Sequence, residues 1–515
     1  MTGRFDGSRP WKRRQKERLK NMSTEFYVLG VDQSTQGTKA VLFDDKGKII
    51  LRRDKPHRQI ISEDGWVSHD LSEIYANVLE VCRSVIEGAG ADPGRILCMG
   101  ITNQRETTCA WDKETGEPLS EAIVWQCSRA SQLCDEIESA HHCGDEIYYR
   151  TGIKLSPFFP ASKMAWLLKN VPAVTQAKEA GKLAFGTIDS YLVSRLTGGS
   201  VHATDYSNAS RTQLFNIREL AWDPEICEIF GIPMEALPQV RDSDGLFGET
   251  DLGGFLPHAI PIRAVLGDSH GALFGHGCRE AGGIKVTYGT GSSVMLNTGS
   301  ECRQSTCGLA TSLAWKAFGE AQYVLEGNIN YTGAVITWMK DSVGLISSPG
   351  ETQALAEAAN PQDRTYLVPA FTGLGAPWWA SDAAASIVGM TRSTGKNEIV
   401  KAGVESIAYQ IRDVIGAMRE DTGLAIDTIC VDGGPTRNGY LMQFQSDIAD
   451  AVVRIPDAEE LSVIGAVYLA GIAQGVWDKD AIYENISYTR YEPQMEEDVR
   501  SRKIAGWREA VESVL

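Results

Sequence analysis

The chain has 515 residues, 43% of them hydrophobic and 23% charged, which are globular proportions and enough length for two or more domains that each bury a core. A formal net charge of −17 argues against a general nucleic-acid surface, which needs a basic face, while leaving room for an anionic nucleotide in a locally positive cleft. No apolar run reaches membrane-spanning length, and eleven cysteines scattered without a CxxC pair read as reduced thiols of a cytoplasmic protein that has no membrane partner.

Residues 1–21 hold eight Lys and Arg against two Asp and Glu, with no apolar stretch behind them. This is not a secretory signal. Residues 1–24 read as a basic extension, from an upstream start or as a disordered tail, with a tail touching nucleic acid or membrane as the alternative.

The stretch from Tyr27 to Asp44 carries the most information. An apolar run ends in Asp32, a small polar turn follows (Ser34, Thr35, Gln36, Gly37, Thr38), and a second apolar run starts after Lys39. This is a hairpin whose tip offers a carboxylate, hydroxyls, an amide and an ammonium. Such a tip can take phosphate oxygens on its backbone N–H groups and Mg²⁺ on its carboxylate, or it is a plain turn with a solvated lysine. Strands are expected at 27–32, 39–44 and 48–53 as an antiparallel meander, then a helix near 71–88, where Ile74, Val78, Val81 and Val85 recur at helical spacing. A strand at 96–102 runs into Asn103-Gln104-Arg105-Glu106, and strand ends in open α/β sheets are where polar ligands sit. Helices are expected at 128–140, 162–169 and 189–196, and His141-His142-Cys143 reads as a polar helix end rather than a metal site. Residues 253–261 look loop-like, and a strand over Val265–Asp268 leads into a helix from about 269.

The second half repeats the opening theme. Residues 284–298 are again strand, turn (Gly289-Thr290-Gly291-Ser292-Ser293) and strand, half a chain away from the first hairpin. A duplicated unit of this kind suggests two related domains facing one nucleotide. A helix is expected at 328–341, a strand at 366–370, a long helix at 396–420, a strand at 428–431 running into Asp432-Gly433-Gly434-Pro435, and a helix from Asn438. The alternation indicates α/β domains in both halves, divided near 280 into residues 25–280 and 281–515.

Gly-Ile-Thr-Asn-Gln-Arg-Glu-Thr-Thr (100–108), Ala-Ile-Val-Trp-Gln-Cys (122–127), Thr-Asp-Tyr-Ser-Asn-Ala-Ser-Arg-Thr (204–212), Pro-Ala-Phe-Thr-Gly-Leu-Gly-Ala-Pro (369–377) and Leu-Met-Gln-Phe-Gln-Ser-Asp-Ile (441–448) occur in this order. Over about residues 25–480 the chain thereby resembles the glycerol kinases and, more widely, the FGGY carbohydrate kinases of the actin/hexokinase/Hsp70-like fold. The resemblance implies two duplicated ribonuclease H-like α/β domains flanking a nucleotide cleft. It implies an enzyme that phosphorylates a primary hydroxyl of a small polyol with ATP and Mg²⁺, foremost glycerol to sn-glycerol 3-phosphate, and a homo-oligomer (dimer or tetramer). By position it implies Asp32 at the metal, Thr35, Gln36, Lys39, Gly289, Thr290, Gly333 and Thr337 along the nucleotide, and Gly434, Pro435 and Asn438 by the nucleoside. It implies Arg105, Glu106, Trp125, Phe158, Asp268 and Ser269 around the polyol, with Asp268 as general base; from the residues alone Asp268 could equally cap a helix. Arg105 and Glu106 alone would read as a surface pair and Trp125 as core.

Several positions depart from that pattern. Phe158 stands for a tyrosine and Ser269 for a glutamine, which removes two polar contacts and adds room at one end of the substrate; a longer polyol or ketose (erythritol, erythrulose, xylulose, ribulose) is therefore the alternative substrate. Gln36 replaces a threonine, Lys39 an arginine and Thr337 a glutamine. Residues 253–258 lack the glycine-rich, arginine-containing loop through which bacterial glycerol kinases bind fructose 1,6-bisphosphate, so no such inhibition is expected.

Overall fold

In the computed structural model, which describes residues 25–515, the first three strands are Tyr27–Gln33 (β1), Gly37–Phe43 (β2) and Ile49–Pro56 (β3), the expected antiparallel meander. β1 and β2 are buried on both faces and read as nearly unbroken apolar runs for that reason, whereas the edge strand β3 alternates (Ile-Leu-Arg-Arg-Asp-Lys). Helix Leu71–Ala89 (α1) starts where Asp70 accepts hydrogen bonds from the Ser72 and Glu73 amides, buries Ile74, Val78, Val81 and Val85, and ends at Gly90 with φ 64°. Ile96–Asn103 (β4) lies parallel to β1. A second sheet of short strands, among them Ala122–Ile123 and Thr108–Asp112, together with helix Pro160–Asn170 (α2), forms the side of the lobe that carries Trp125 and Phe158. Ile260–Gly267 (β5) returns beside β4 and leads into Asp268–Gly275 (α3). His141 ends its helix and His142 closes it with φ 49°, as the polar-end reading expected.

The second half rebuilds the same plan with Ile284–Tyr288 (β6), Ser292–Gly299 (β7), Ala310–Ala317 (β8), Glu320–Ile329 (β9), Lys396–Thr422 (α4), Thr428–Gly433 (β10), Gly439–Ala449 (α5), Val452–Pro456 (β11), Leu461–Ala473 (α6) and Tyr488–Tyr491 (β12). The first sheet contains the order β3-β2-β1-β4-β5 and the second β9-β7-β6-β10-β11, each a meander followed by two parallel strands. The duplication expected from the two hairpins is thus present strand for strand.

Two expectations need correction. β8 and β9 were not foreseen, and the helix expected at 328–341 instead begins at Gly333, because β9 continues to Ile329 in register with Ser292 of β7. The stretch expected as loop through residue 261 already belongs to β5, which starts at Ile260 with Pro261 opposite Glu249 at the edge. The helix expected from Asn438 is present, with Asn438 as its N-cap behind a 3₁₀ turn over Gly434–Arg437. The reading of residues 1–24 falls outside the described residues.

The two sheets are joined through a layer made by α3 and α6, which follow equivalent strands in the two halves. Val463 and Val467 of α6 pack on β1 and β2 with Val28, Val41 and Phe43, while Leu273 and Phe274 of α3 meet Met295 and Val324 of the second sheet. The helices cross backbone to backbone. A β-carbon on Gly465 would fall inside the Gly271 carbonyl, and one on Gly271 would lie 2.6 Å from the Ser462 carbonyl oxygen. Only glycine permits this approach. Gly465→Ala is therefore expected to destabilise the protein by about 1–3 kcal/mol. Gly416→Ala, in the middle of α4 with nothing within 4 Å of the added carbon, is expected to stabilise it by about 0.5–1 kcal/mol. Thermal unfolding of the two variants beside wild type checks both signs.

Candidate active site

At the tip of the first hairpin Asp32 pairs in register with Lys39, so both side chains leave the same face of the sheet. Lys39 Nζ lies 3.4 Å from Asp32 Oδ2 and 3.0 Å from Oε2 of Glu460, just before α6, a residue that also pairs with Arg52. Burial pushes the Asp32 carboxyl up to about 6; Lys39 opposes this in part, and the charges of Asp268 and Glu460 add to it. Burial alone would lower the Lys39 ammonium, but the two carboxylates beside it outweigh that and raise it. Asp32 Oδ1 is buried and has no hydrogen-bond partner among the described residues. Thr35 faces the other way: its hydroxyl accepts a hydrogen bond from Trp125 Nε1 at 2.9 Å, and Gln36 is exposed.

Past the end of β4, Glu106 adopts φ 60°, which throws Arg105 and Glu106 in different directions. Arg105 donates through both terminal nitrogens to Glu326 of β9 (2.9 and 2.7 Å) and presents Nε to Asp268 Oδ1 at 3.3 Å. Glu106 accepts from Arg211 Nε at 2.6 Å, and Arg211 Nη1 lies 3.1 Å from the same Glu326. The Glu326 side chain is 0% exposed; burial pushes its carboxyl up, but Arg105 and Arg211 win and hold it well below the usual range. Asp268 is the first residue of α3. Its carboxylate is 36% exposed and, besides facing Arg105, accepts the adjacent Ser269 amide (2.6 Å), with no amide of the helix's first turn beyond it, so it does not cap the helix. His270, two residues on, is fully buried with neither ring nitrogen hydrogen-bonded among the described residues, and burial together with Arg105 keeps it neutral. The Trp125 and Phe158 rings sit 5.3 Å apart, and Ser269 is half-buried beside Asp268.

On the second hairpin Gly289 and Thr290 are exposed at the tip, and Gly333 docks on them through its amide to the Gly289 carbonyl (3.0 Å). A side chain at Gly333 would clash with that carbonyl. Thr337 follows one turn later, exposed, with its hydroxyl donating to the Gly333 carbonyl at 3.3 Å. Gly434 and Pro435 open the 3₁₀ turn. Both ends of the Asn438 side chain are engaged, Oδ1 with the Leu441 amide as cap of α5 and Nδ2 with Thr352. Behind the tip, Lys285 is buried and donates to Thr287 (3.1 Å), while His276 meets Asp432 at 2.7 Å.

Glu326, Arg211, Lys285 and Glu460 were not singled out from the sequence. Glu326 in Tyr-Val-Leu-Glu-Gly and Lys285 in Ile-Lys-Val are lone charges inside apolar strand runs, and such residues are seldom buried unless paired. That signal was available for both. Arg211 lies in the stretch 204–212, but nothing local ties it to Glu106.

The model of the FGGY family of carbohydrate kinases, N-terminal domain, matches residues 27–275, and that of the C-terminal domain matches residues 284–474. Glycerol kinase 1 of Thermotoga maritima is 48% identical over 95% of this chain and 100% of its own length; the glycerol kinase of Fusobacterium nucleatum is 44% identical over 94% and 98%. Among solved structures, Plasmodium falciparum glycerol kinase with ADP superposes with a TM-score of 0.90 at 35% identity, covering 95% of this chain and 98% of that one. A xylulose kinase from Lactobacillus acidophilus, at 22% identity and a TM-score of 0.82 over 95% and 96% of the two chains, shares the fold. With both domain models matched in order and relatives aligned over nearly the whole length, this chain belongs to the FGGY family of carbohydrate kinases.

Proposed function

We propose that this protein is an ATP-dependent glycerol kinase that forms sn-glycerol 3-phosphate. The observation that carries the reading is the Asp268 carboxylate, partly open to the cleft and held beside Arg105 Nε, at the end of a strand in a chain 48% identical to a glycerol kinase. Phosphoryl transfer needs an aligned hydroxyl, a proton acceptor and charge stabilisation. Asp268 takes the proton of the primary hydroxyl as that oxygen bonds to the γ-phosphorus and the bond from phosphorus to the β–γ bridging oxygen breaks, releasing ADP. Arg105 donates to, and Glu106 accepts from, the neighbouring hydroxyls, while Trp125 and Phe158 wall the carbon chain and Ser269 borders its end.

The nucleotide side is read as the two hairpin tips, with Thr35, Gln36 and Lys39 on one and Gly289, Thr290, Gly333 and Thr337 on the other. Gly434 and Pro435 lie toward the nucleoside, where Asn438 acts by shaping the turn through its cap. Asp32 fits Mg²⁺: it offers a buried carboxylate oxygen without a partner, and magnesium in such sites takes one or two carboxylates plus phosphate oxygens and water. The ion would neutralise charge on the transferring group. In this reading residues 25–280 carry the polyol side and 281–515 the nucleotide side, with Glu326 and Glu460 of the second half reaching across.

Turnover of glycerol above erythritol, erythrulose, xylulose and ribulose in a coupled ADP-release assay tests the substrate; a better four- or five-carbon substrate would replace it. Asp268→Asn is expected to lower kcat by about 10²–10⁴-fold with ATP affinity retained. The same assay with calorimetric ATP binding reads both. Asp32 is neutral below a pH of about 6 and ionised above it, and only the carboxylate attracts a cation. The ratio of wild-type to Asp32→Asn affinity for Mg·ADP should therefore climb about tenfold per pH unit up to 6 and level off above, whereas a flat ratio from pH 4.5 to 7.5 would remove Asp32 from the metal.

A further inference from the structure

The helix α2 carries a lysine that neither the sequence motifs nor the mechanism above uses. Lys163 is fully buried. Its ammonium donates to the backbone carbonyl of Trp125 at 3.0 Å and to the backbone carbonyl of Phe158, and it lies 5.9 Å from the Phe158 ring centre. Among the described residues no carboxylate forms an ion pair with it. Glu106 acts on it only from a distance, and burial pulls the ammonium down to about 7. A buried ammonium is costly unless it is hydrogen-bonded, and this one commits two of its three N–H donors to carbonyls of two separate segments.

Those two carbonyls belong to the two aromatic walls. Trp125 follows the strand Ala122–Ile123, and Phe158 precedes α2, so they reach the site on separate segments. Their rings touch at 5.3 Å and 58°, an inclined contact that does not fix one ring on the other. Trp125 is also held at its indole by Thr35. Phe158 has no hydroxyl with which to anchor its ring tip; its ring rests on Trp125 and Phe159, its amide donates to Ser156 Oγ at 3.2 Å, and its carbonyl is held by Lys163.

We propose that Lys163 is a positioning residue for polyol selection: by tying the Trp125 and Phe158 carbonyls to one ammonium it fixes the spacing of the aromatic walls and thereby the length of carbon chain the pocket accepts. The proposal rests on the reading of Trp125 and Phe158 as polyol walls. Its test is Lys163→Met, which keeps length and bulk and removes the donors, with Lys163→Gln as the second variant. The expected result is a rise of at least tenfold in KM for glycerol, a KM for ATP within twofold of wild type, and a fall of at least fivefold in the ratio of kcat/KM for glycerol to that for erythritol. The ratio does not depend on the fraction of active protein, so a lysine that merely packs the helix would leave it unchanged. An unchanged ratio, or a parallel loss of ATP affinity in either variant, would overturn the clamp. Wild-type turnover of glycerol tests the substrate reading separately. If wild type prefers another polyol, the clamp is judged by the same variant-to-wild-type comparison with that polyol as numerator.

Discussion

One carboxylate, Glu326, balances two buried guanidinium groups from the other lobe. Arg105 and Arg211 both end on it, and Glu106 closes the square from the far side. Breaking a buried pair by removing one partner typically costs about 3–5 kcal/mol, because the remaining charge is left in a medium that cannot solvate it. The geometry carries more than charge. A guanidinium bound through both terminal nitrogens has no rotational freedom left, and its Nε must point along the remaining edge of the fork. For Arg105 that edge faces Asp268. A residue of β9 therefore aims the side chain that stands beside Asp268, and the charges of the two lobes are directly coupled at this point.

The second bond between the lobes is steric. α3 and α6 touch through glycines, which brings two sheets of the same strand order onto opposite sides of one thin helical layer. Asp268 opens α3 and Glu460 immediately precedes α6, so these two carboxylates sit at the N-terminal ends of the two helices that form the joint. The Lys39–Glu460 and Arg105–Glu326 pairs add two further bonds between the halves.

Much of this was legible in the sequence wherever the deciding interactions are local. The hairpin tips, the stripe on α1 and the strand running to Asp268 all rest on neighbours within a few residues, and the structure has each of them. What was not legible depends on partners far along the chain. Lys39 and Glu460 lie 421 residues apart, and Arg105 and Glu326 lie 221 apart. β8 and β9 were missed because Thr, Ser, Lys, Glu and Gln interrupt their apolar pattern, and the pairing of β9 with β7 and of β8 with β9 decides their state. Asn438 was placed correctly in the chain, but its side chain was not foreseen as a cap, since the 3₁₀ turn before it moves the helix start to the next residue.

The indole of Trp125 and the hydroxyl of Thr35 join the proposed polyol wall to the hairpin tip of the proposed nucleotide side with a single 2.9 Å hydrogen bond. Whatever settles the ring in place also settles the tip, and the reverse holds with equal strength, because thermodynamic linkage has no preferred direction. The order in which two ligands arrive at such a joint leaves the total free energy untouched. It decides only which of them meets a partner already arranged.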